Sequence, residues 1–244
     1  MPILEKIGGS EYAKNEAESI KIGIEEERRN SGGGFGELFK GGMLKILGLG
    51  TFIAILQQWC GMNVIFYYAA DIFEAAGYNL KELMLQIVVI GSIMVVSVIV
   101  TIAIVDRVGR KFLMLLGLGS LCLIYIIEGF LFMFDIKGLT IVLLTLASVA
   151  LYSLTLAPVV WVILSEIFPN RVRGAAMSFA VVVLWIANFL LTYTFPVIKE
   201  TLGWTLNFWL YAVICMIGFI VLALKLPETK GKSLEEIEKL IVKK

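Results

Sequence analysis

Apolar residues run along this chain in six long blocks, at about 43–70, 83–105, 112–134, 139–164, 175–198 and 205–226, each bounded by clusters of charge, glycine or proline. A helix needs about 20 apolar residues to cross a bilayer core, so the pattern predicts six membrane-spanning helices. The flanks are polar. Residues 5–29 alternate acidic and basic side chains without a wide apolar face and are expected to form a short surface helix, ended by Gly32, Gly33 and Gly34. Met1–Asn30 lacks an apolar core, so no signal peptide is expected and the first block is expected to act as its own insertion signal. In the tail, Ser233 and Glu236 have capping-box spacing, and Leu234, Ile237, Leu240 and Ile241 share one helical face. That predicts a helix either docked on the protein body or offered to a partner. The expected divisions are a cytoplasmic segment with a Gly-rich linker at 1–42, a transmembrane bundle at 43–226 and a cytoplasmic helix at 227–244.

Composition sharpens the class. Of the 244 residues, 59% are hydrophobic and only 17% charged, and mean hydropathy is +0.90. Soluble domains carry roughly 25% charged residues, so a disordered chain is excluded and a soluble globular one disfavoured. A net charge of +1 argues against nucleic acid as a partner. The chain has no His, which removes His-based catalysis, metal ligation and pH sensing. Cys60, Cys122 and Cys215 lie in separate apolar blocks without CxxC spacing and read as small buried hydrophobes. No cofactor, metal or enzymatic activity is expected. Basic residues set the orientation: with six crossings, eighteen of the 21 Lys and Arg fall on the side of the termini, against Lys81, Lys137 and Lys199 on the other. Both termini are therefore expected in the cytoplasm.

Polar residues within apolar blocks are the candidate chemistry, because hydrocarbon offers them no hydrogen-bond partner. The first block carries Gln57, Gln58, Asn63, Tyr67 and Tyr68. Amides and phenols donate and accept without net charge, which suits a neutral polyhydroxy ligand; the alternative is that they glue neighbouring helices together. Gln58 and Asn63 are five residues apart, about 140° around a straight helix, so aiming both at one site calls for a bend, and Gly61 lies between them. Pro158 interrupts the fourth block, just before Trp161. The two interrupted blocks are three apart, the spacing expected of inverted three-helix repeats. In the fifth block Trp185 and Asn188 share a face and sit near its middle, an aromatic surface beside an amide. Trp204 and Trp209, near a block end, are expected in the interfacial belt. Glu128, an acid inside the third block, is expected to reach the outer interface, with a proton-coupling role as the alternative.

Two charged loops face the cytoplasm in this scheme: Asp106-Arg107-Val108-Gly109-Arg110-Lys111, and Ser165-Glu166-Ile167-Phe168-Pro169-Asn170-Arg171-Val172-Arg173. Carboxylates and guanidiniums on the two are expected to pair. Positive charge that merely sets topology would explain the arginines but not Asp106 or Glu166.

Taken together, these residues resemble the sugar porters of the major facilitator superfamily, and the resemblance covers almost the whole chain. Gln57-Gln58-Trp59-Cys60-Gly61-Met62-Asn63 with Phe66-Tyr67-Tyr68 resembles the family's seventh-helix motif. Asp106–Lys111 matches its DRxGRK loop, Pro158–Trp161 with Ser165–Pro169 its tenth helix and exit, and Pro227-Glu228-Thr229-Lys230-Gly231 its tail signature. The wording is closest to the bacterial xylose–proton symporters and, more distantly, the animal facilitative glucose carriers. The resemblance implies an all-α membrane protein whose six transmembrane helices form a 3+3 inverted-repeat bundle, half of a major facilitator fold, in the plasma membrane. It implies a pentose or hexose bound by Gln57, Gln58, Asn63, Tyr67, Trp161, Trp185 and Asn188. It further implies a conformational salt-bridge network of Asp106, Arg107, Arg110, Glu166 and Arg173. Three positions depart from the pattern: Met94 stands for an Asn, Ala157 for a Gly and Leu184 for a Gln or Asn. The family's other six helices carry its proton-coupling acid, and this sequence contains no copy of them. The expected assembly is therefore a homodimer or a pairing with a separate amino-terminal half. A split or truncated carrier without transport, and a sugar-sensing membrane protein, are the alternatives.

Overall fold

A computed structural model describes residues 35–78 and 80–232, and singly 9, 11, 14, 18, 236, 237, 240 and 241, with the side chains of 80–84 and 86 excepted. Most of the helix expected over 5–29 and most of the tail helix lie outside the described residues; within the tail, Ile237 and Ile241 are buried against the body. A 3₁₀ turn at Phe35–Phe39 leads into α1 (Gly41–Trp59), followed by α2 (Met62–Tyr67), α3 (Ala69–Ala75), α4 (Leu80–Val108), α5 (Arg110–Met133), α6 (Leu139–Leu154), α7 (Leu156–Ile167) and α8 (Arg173–Lys225). Five helical stretches are long and apolar enough to cross a membrane: 41–67, 87–108, 110–133, 139–167 and 173–225. Only helices satisfy every backbone group within a single crossing, so the described residues are essentially all helical.

The last stretch differs from the two separate blocks read in the sequence. It runs for 53 residues, about twice one crossing, and its interior break is Gly203, at φ 71° and ψ 179°. Leu156, Val160 and Ile163 of α7, Leu118 and Tyr125 of α5, and Ile46 and Ile53 of α1 belong to one continuous core. α4 is the most exposed of the long helices, with Val88, Val95, Ile99 and Ile102 turned outward. An apolar outer face is what lipid requires.

Both prolines inside long helices free a carbonyl four residues earlier, and both carbonyls find a side-chain donor on another helix. Thr101 Oγ1 of α4 reaches Leu154 O, the carbonyl that Pro158 leaves open, at 2.9 Å. The helix breaks there, at Thr155, three residues upstream of the proline. Tyr68 Oη donates to Thr192 O, which Pro196 leaves open, at 3.2 Å. Tyr68 thus serves the backbone. Gly117 of α5 faces the first break; a Cβ there would collide with Thr155 and Leu156.

Candidate functional site

The bend inferred at Gly61 is present. α1 ends at Trp59, Gly61 takes a left-handed φ of 89°, and α2 restarts at Met62. Glycine is required there twice over: the backbone is left-handed, and a Cβ would stand 2.7 Å from the Tyr211 ring. The break turns Asn63 back toward Gln58. Gln58 Oε1 accepts hydrogen bonds from Asn63 Nδ2 and, across 130 residues of chain, from Asn188 Nδ2 at 2.8 Å. Gln58 Nε2 donates to Gln57 Oε1 at 3.3 Å, and Gln57 Nε2 donates to Ala157 O at 3.1 Å. Four of the seven candidate ligand-binding residues therefore form one chain of neutral hydrogen bonds joining α1, α2, α7 and α8. No charged side chain takes part in it among the described residues.

Tyr67, Trp161 and Trp185 are not joined to that network. They are exposed, at 59%, 41% and 61%. Trp59, which the sequence left without a role, and Tyr68, one of the polar candidates of the first block, both donate to backbone carbonyls of α8. Trp59 Nε1 donates to Ala187 O at 3.0 Å, fixing the end of α1 beside Asn188.

At one end of the bundle the two charged loops meet. Arg110 Nη2 lies 2.7 Å from Asp106 Oδ1 and 2.9 Å from Glu166 Oε1. The other oxygen of Glu166 accepts from Thr229 Oγ1 at 2.6 Å. Glu228 caps α5, accepting from the backbone N–H of Arg110 at 3.0 Å and of Lys111 at 3.2 Å, where the helix presents free donors and a positive dipole end. Lys230 Nζ donates to Arg107 O. Arg173 donates to Phe168 O at 3.2 Å. Arg107 and Arg173 make no ion pair among the described residues. Glu228 and Thr229 were legible only as part of a tail signature; their contacts tie the tail to two helix ends, and Lys230 adds a third. At the opposite end Lys199 pairs with Asp71 at 2.6 Å, and Gly138 N–H donates to Ala76 O at 3.0 Å.

Glu128 differs from expectation, and the two tryptophans near the block end find partners on the bundle. Glu128 does not reach an interface: it is fully buried and accepts a hydrogen bond from Thr145 Oγ1 at 2.9 Å, a partner inside the bundle that removes the need to snorkel. Trp209 donates to Ile126 O at 3.3 Å, with its indole against Gly129. Trp204 stacks on Phe132 and Phe208. Both indoles are half-buried and pack against the bundle.

The family model "Sugar (and other) transporter" matches residues 1–241. The chain is 34% identical to the arabinose-proton symporter of Bacillus subtilis, over all of this chain and 52% of that protein. It is 33% identical to the D-xylose-proton symporter of Escherichia coli K12, over 98% of this chain and 49% of that one. The solved major facilitator proton:xylose symporter XylE, bound to 6-bromo-6-deoxy-D-glucose, superposes with a TM-score of 0.79 at 32% identity, over 98% of this chain and 50% of XylE. The chain thus spans about half the length of the relatives it matches. With its motifs, its apolar helices and these matches, the chain belongs to the sugar transporter family of the major facilitator superfamily and is a multi-pass plasma-membrane protein.

Proposed function

We propose that this chain forms the six-helix carboxy-terminal half of a sugar porter and lines one side of a monosaccharide pathway. The observation that carries this reading is the convergence of Asn63 and Asn188 on the Gln58 carboxamide across the Gly61 break. Carboxamides offer donors and acceptors in the same plane, and sugar hydroxyls are both donors and acceptors. A pentose or hexose would insert its hydroxyls among Gln57, Gln58, Asn63 and Asn188, while the exposed rings of Tyr67, Trp161 and Trp185 cover its apolar face.

On this reading α8 counts as two crossings, 173–202 and 204–225, which with 41–67, 87–108, 110–133 and 139–167 makes six in a 3+3 arrangement. The end bearing Arg110, Glu166 and Glu228 faces the cytoplasm, as do residues 1–42 and 227–244. Arg110, Asp106 and Glu166 clamp that end. Their release would let the helix ends part, with Arg107 and Arg173 as further cations able to re-pair in another state. The half-site needs an opposing face to enclose a sugar. A second copy, or six further helices of a carrier of the length its relatives have, would provide it.

The test is sugar binding by the purified protein in lipid nanodiscs. Pentoses and hexoses are expected to quench tryptophan fluorescence, because Trp161 and Trp185 flank the amides. Wild-type and Gln58→Ala responses that coincide for every sugar would remove the site.

A further inference from the structure

Behind the amide network, on the far side of the Gly61 break, lies a second group of polar atoms that the sugar reading does not use. Its centre is a small pocket of about 10 Å³, room for about one water molecule. Gly61, Tyr125, Phe195, Trp204, Asn207 and Tyr211 line it. Buried side-chain atoms without a hydrogen-bond partner cluster around it: Tyr125 Oη, Tyr211 Oη, and both Nδ2 and Oδ1 of Asn207. Glu128 Oε2 is unpartnered too, one turn along α5 from Tyr125 on the same face. Native interiors rarely leave buried polar atoms unpaired, and four such atoms on residues lining one pocket, with a fifth on Glu128 one turn away, call for a ligand.

The groups around Glu128 narrow what that ligand is. Tyr125 and Cys122 share its helix. Thr145 of α6 bonds Glu128, and Tyr211 and Cys215 of α8 and Cys60 of the Gly61 break lie about Tyr125, one turn away. α7 meets α5 about three turns away, at Gly117, with Thr155 and Leu156. α4 carries its charged residues, Lys81, Glu82, Asp106 and Arg107, at its ends. Glu128 makes no ion pair among the described residues. A carboxylate with one hydrogen bond and no counter-charge is costly in an apolar interior. The pocket has no second carboxylate with which to hold a metal cation, and a proton needs no room.

We propose that Glu128, with Tyr125, Asn207 and Tyr211, forms a proton-binding site in this half of the carrier. The carboxylate takes one proton from bulk water, forming one O–H bond, and returns it to bulk water. Tyr125, which interacts with Glu128 and lines the pocket, connects the protonated oxygen to water held there by Asn207 and Tyr211. The Tyr211 ring packs on Gly61, so the state of this site bears on the backbone that sets Asn63 against Gln58. That last step rests on the sugar-site reading; the proton site does not.

The experiment is an infrared pH titration of the protein in lipid, without sugar. A carboxylic-acid carbonyl band is expected that fades as pH rises. It is absent in Glu128→Gln and shifted in frequency in Thr145→Val, which keeps the acid and deletes its hydrogen bond. Should Glu128→Gln fail to fold, Thr145→Val decides. The proposal is overturned by a titrating band that neither variant alters, by no titrating band, or by a signal that follows sodium at fixed pH. A second arm follows sugar-dependent quenching against pH: its pH dependence should be present in wild type, lost in Glu128→Gln and displaced along the pH axis in Thr145→Val. If no sugar quenches, the sugar reading fails while the infrared arm still decides the proton site.

Discussion

Gln58 does two jobs with one oxygen, accepting from Asn63 and from Asn188. Truncation to Ala removes that acceptor and leaves the buried Asn188 donor and the half-buried Asn63 donor unpaired, at a cost of about 1–2 kcal/mol. Gln58→Ala is therefore expected to weaken sugar-dependent fluorescence quenching about five- to thirtyfold, read from the midpoint of a sugar titration. Gly61 is more restrictive. Any side chain there meets both a left-handed backbone, worth about 1–2 kcal/mol, and the Tyr211 ring. From the bend alone, Gly61→Leu is expected to harm binding more than expression. The Tyr211 contact alters that expectation: Gly61→Leu should lower both, and Gly61→Ala should lower the thermal midpoint in nanodiscs while the protein still folds.

At the scale of elements, each interior proline is matched by a hydroxyl from another helix. Thr101→Val deletes the donor to Leu154 O and is expected to destabilise the protein by about 1 kcal/mol, seen as a lowered thermal midpoint and faster hydrogen exchange around 155–159. The helix breaks show how far the sequence could be read. The one at Gly61 was legible because five residues of helix put Gln58 and Asn63 on different faces, and glycine between them was the means to join them. The one in the fourth block was legible as a break but not in its position, because a proline acts on the carbonyl four residues back. Glu128 was misplaced, since its partner Thr145 is 17 residues away on another helix. The role of Tyr68 was hidden because nothing local to it signals that Pro196 opens a carbonyl 124 residues later. Patterns within one helix were readable; bonds between helices were readable only where a motif supplied both ends.

At the scale of the molecule, one end is held by a compact set of contacts. Arg110 joins the start of α5 to the exit of α7, and Glu166 and Glu228 carry the tie on to the tail. Glu166→Gln removes the charge and keeps the shape. It is expected to raise hydrogen exchange at 226–232 and at the first turn of α5 about five- to thirtyfold, the range that 1–2 kcal/mol of lost stability gives. The exposed rings of Tyr67, Trp161 and Trp185 make a further prediction. If they face a pathway, cysteines placed at position 185 should cross-link between copies, or to a co-expressed amino-terminal half, and sugar should slow the reaction. A chain that transports robustly in liposomes with no cross-link at that face would end the half-carrier reading.

The amides in the first break are already bonded to one another, and this bears on how such a site would work over time. A sugar arriving there finds the Gln58 oxygen and one N–H of each of the four amides already engaged. Each hydroxyl it seats exchanges one hydrogen bond for another, and the net gain per contact is small. The resting network also holds the pocket's polar atoms in place when it is empty, so little is reorganised on departure. A site built this way grips its cargo loosely and empties quickly, and throughput, more than tightness, is the quantity that the Gln58–Asn63–Asn188 knot favours.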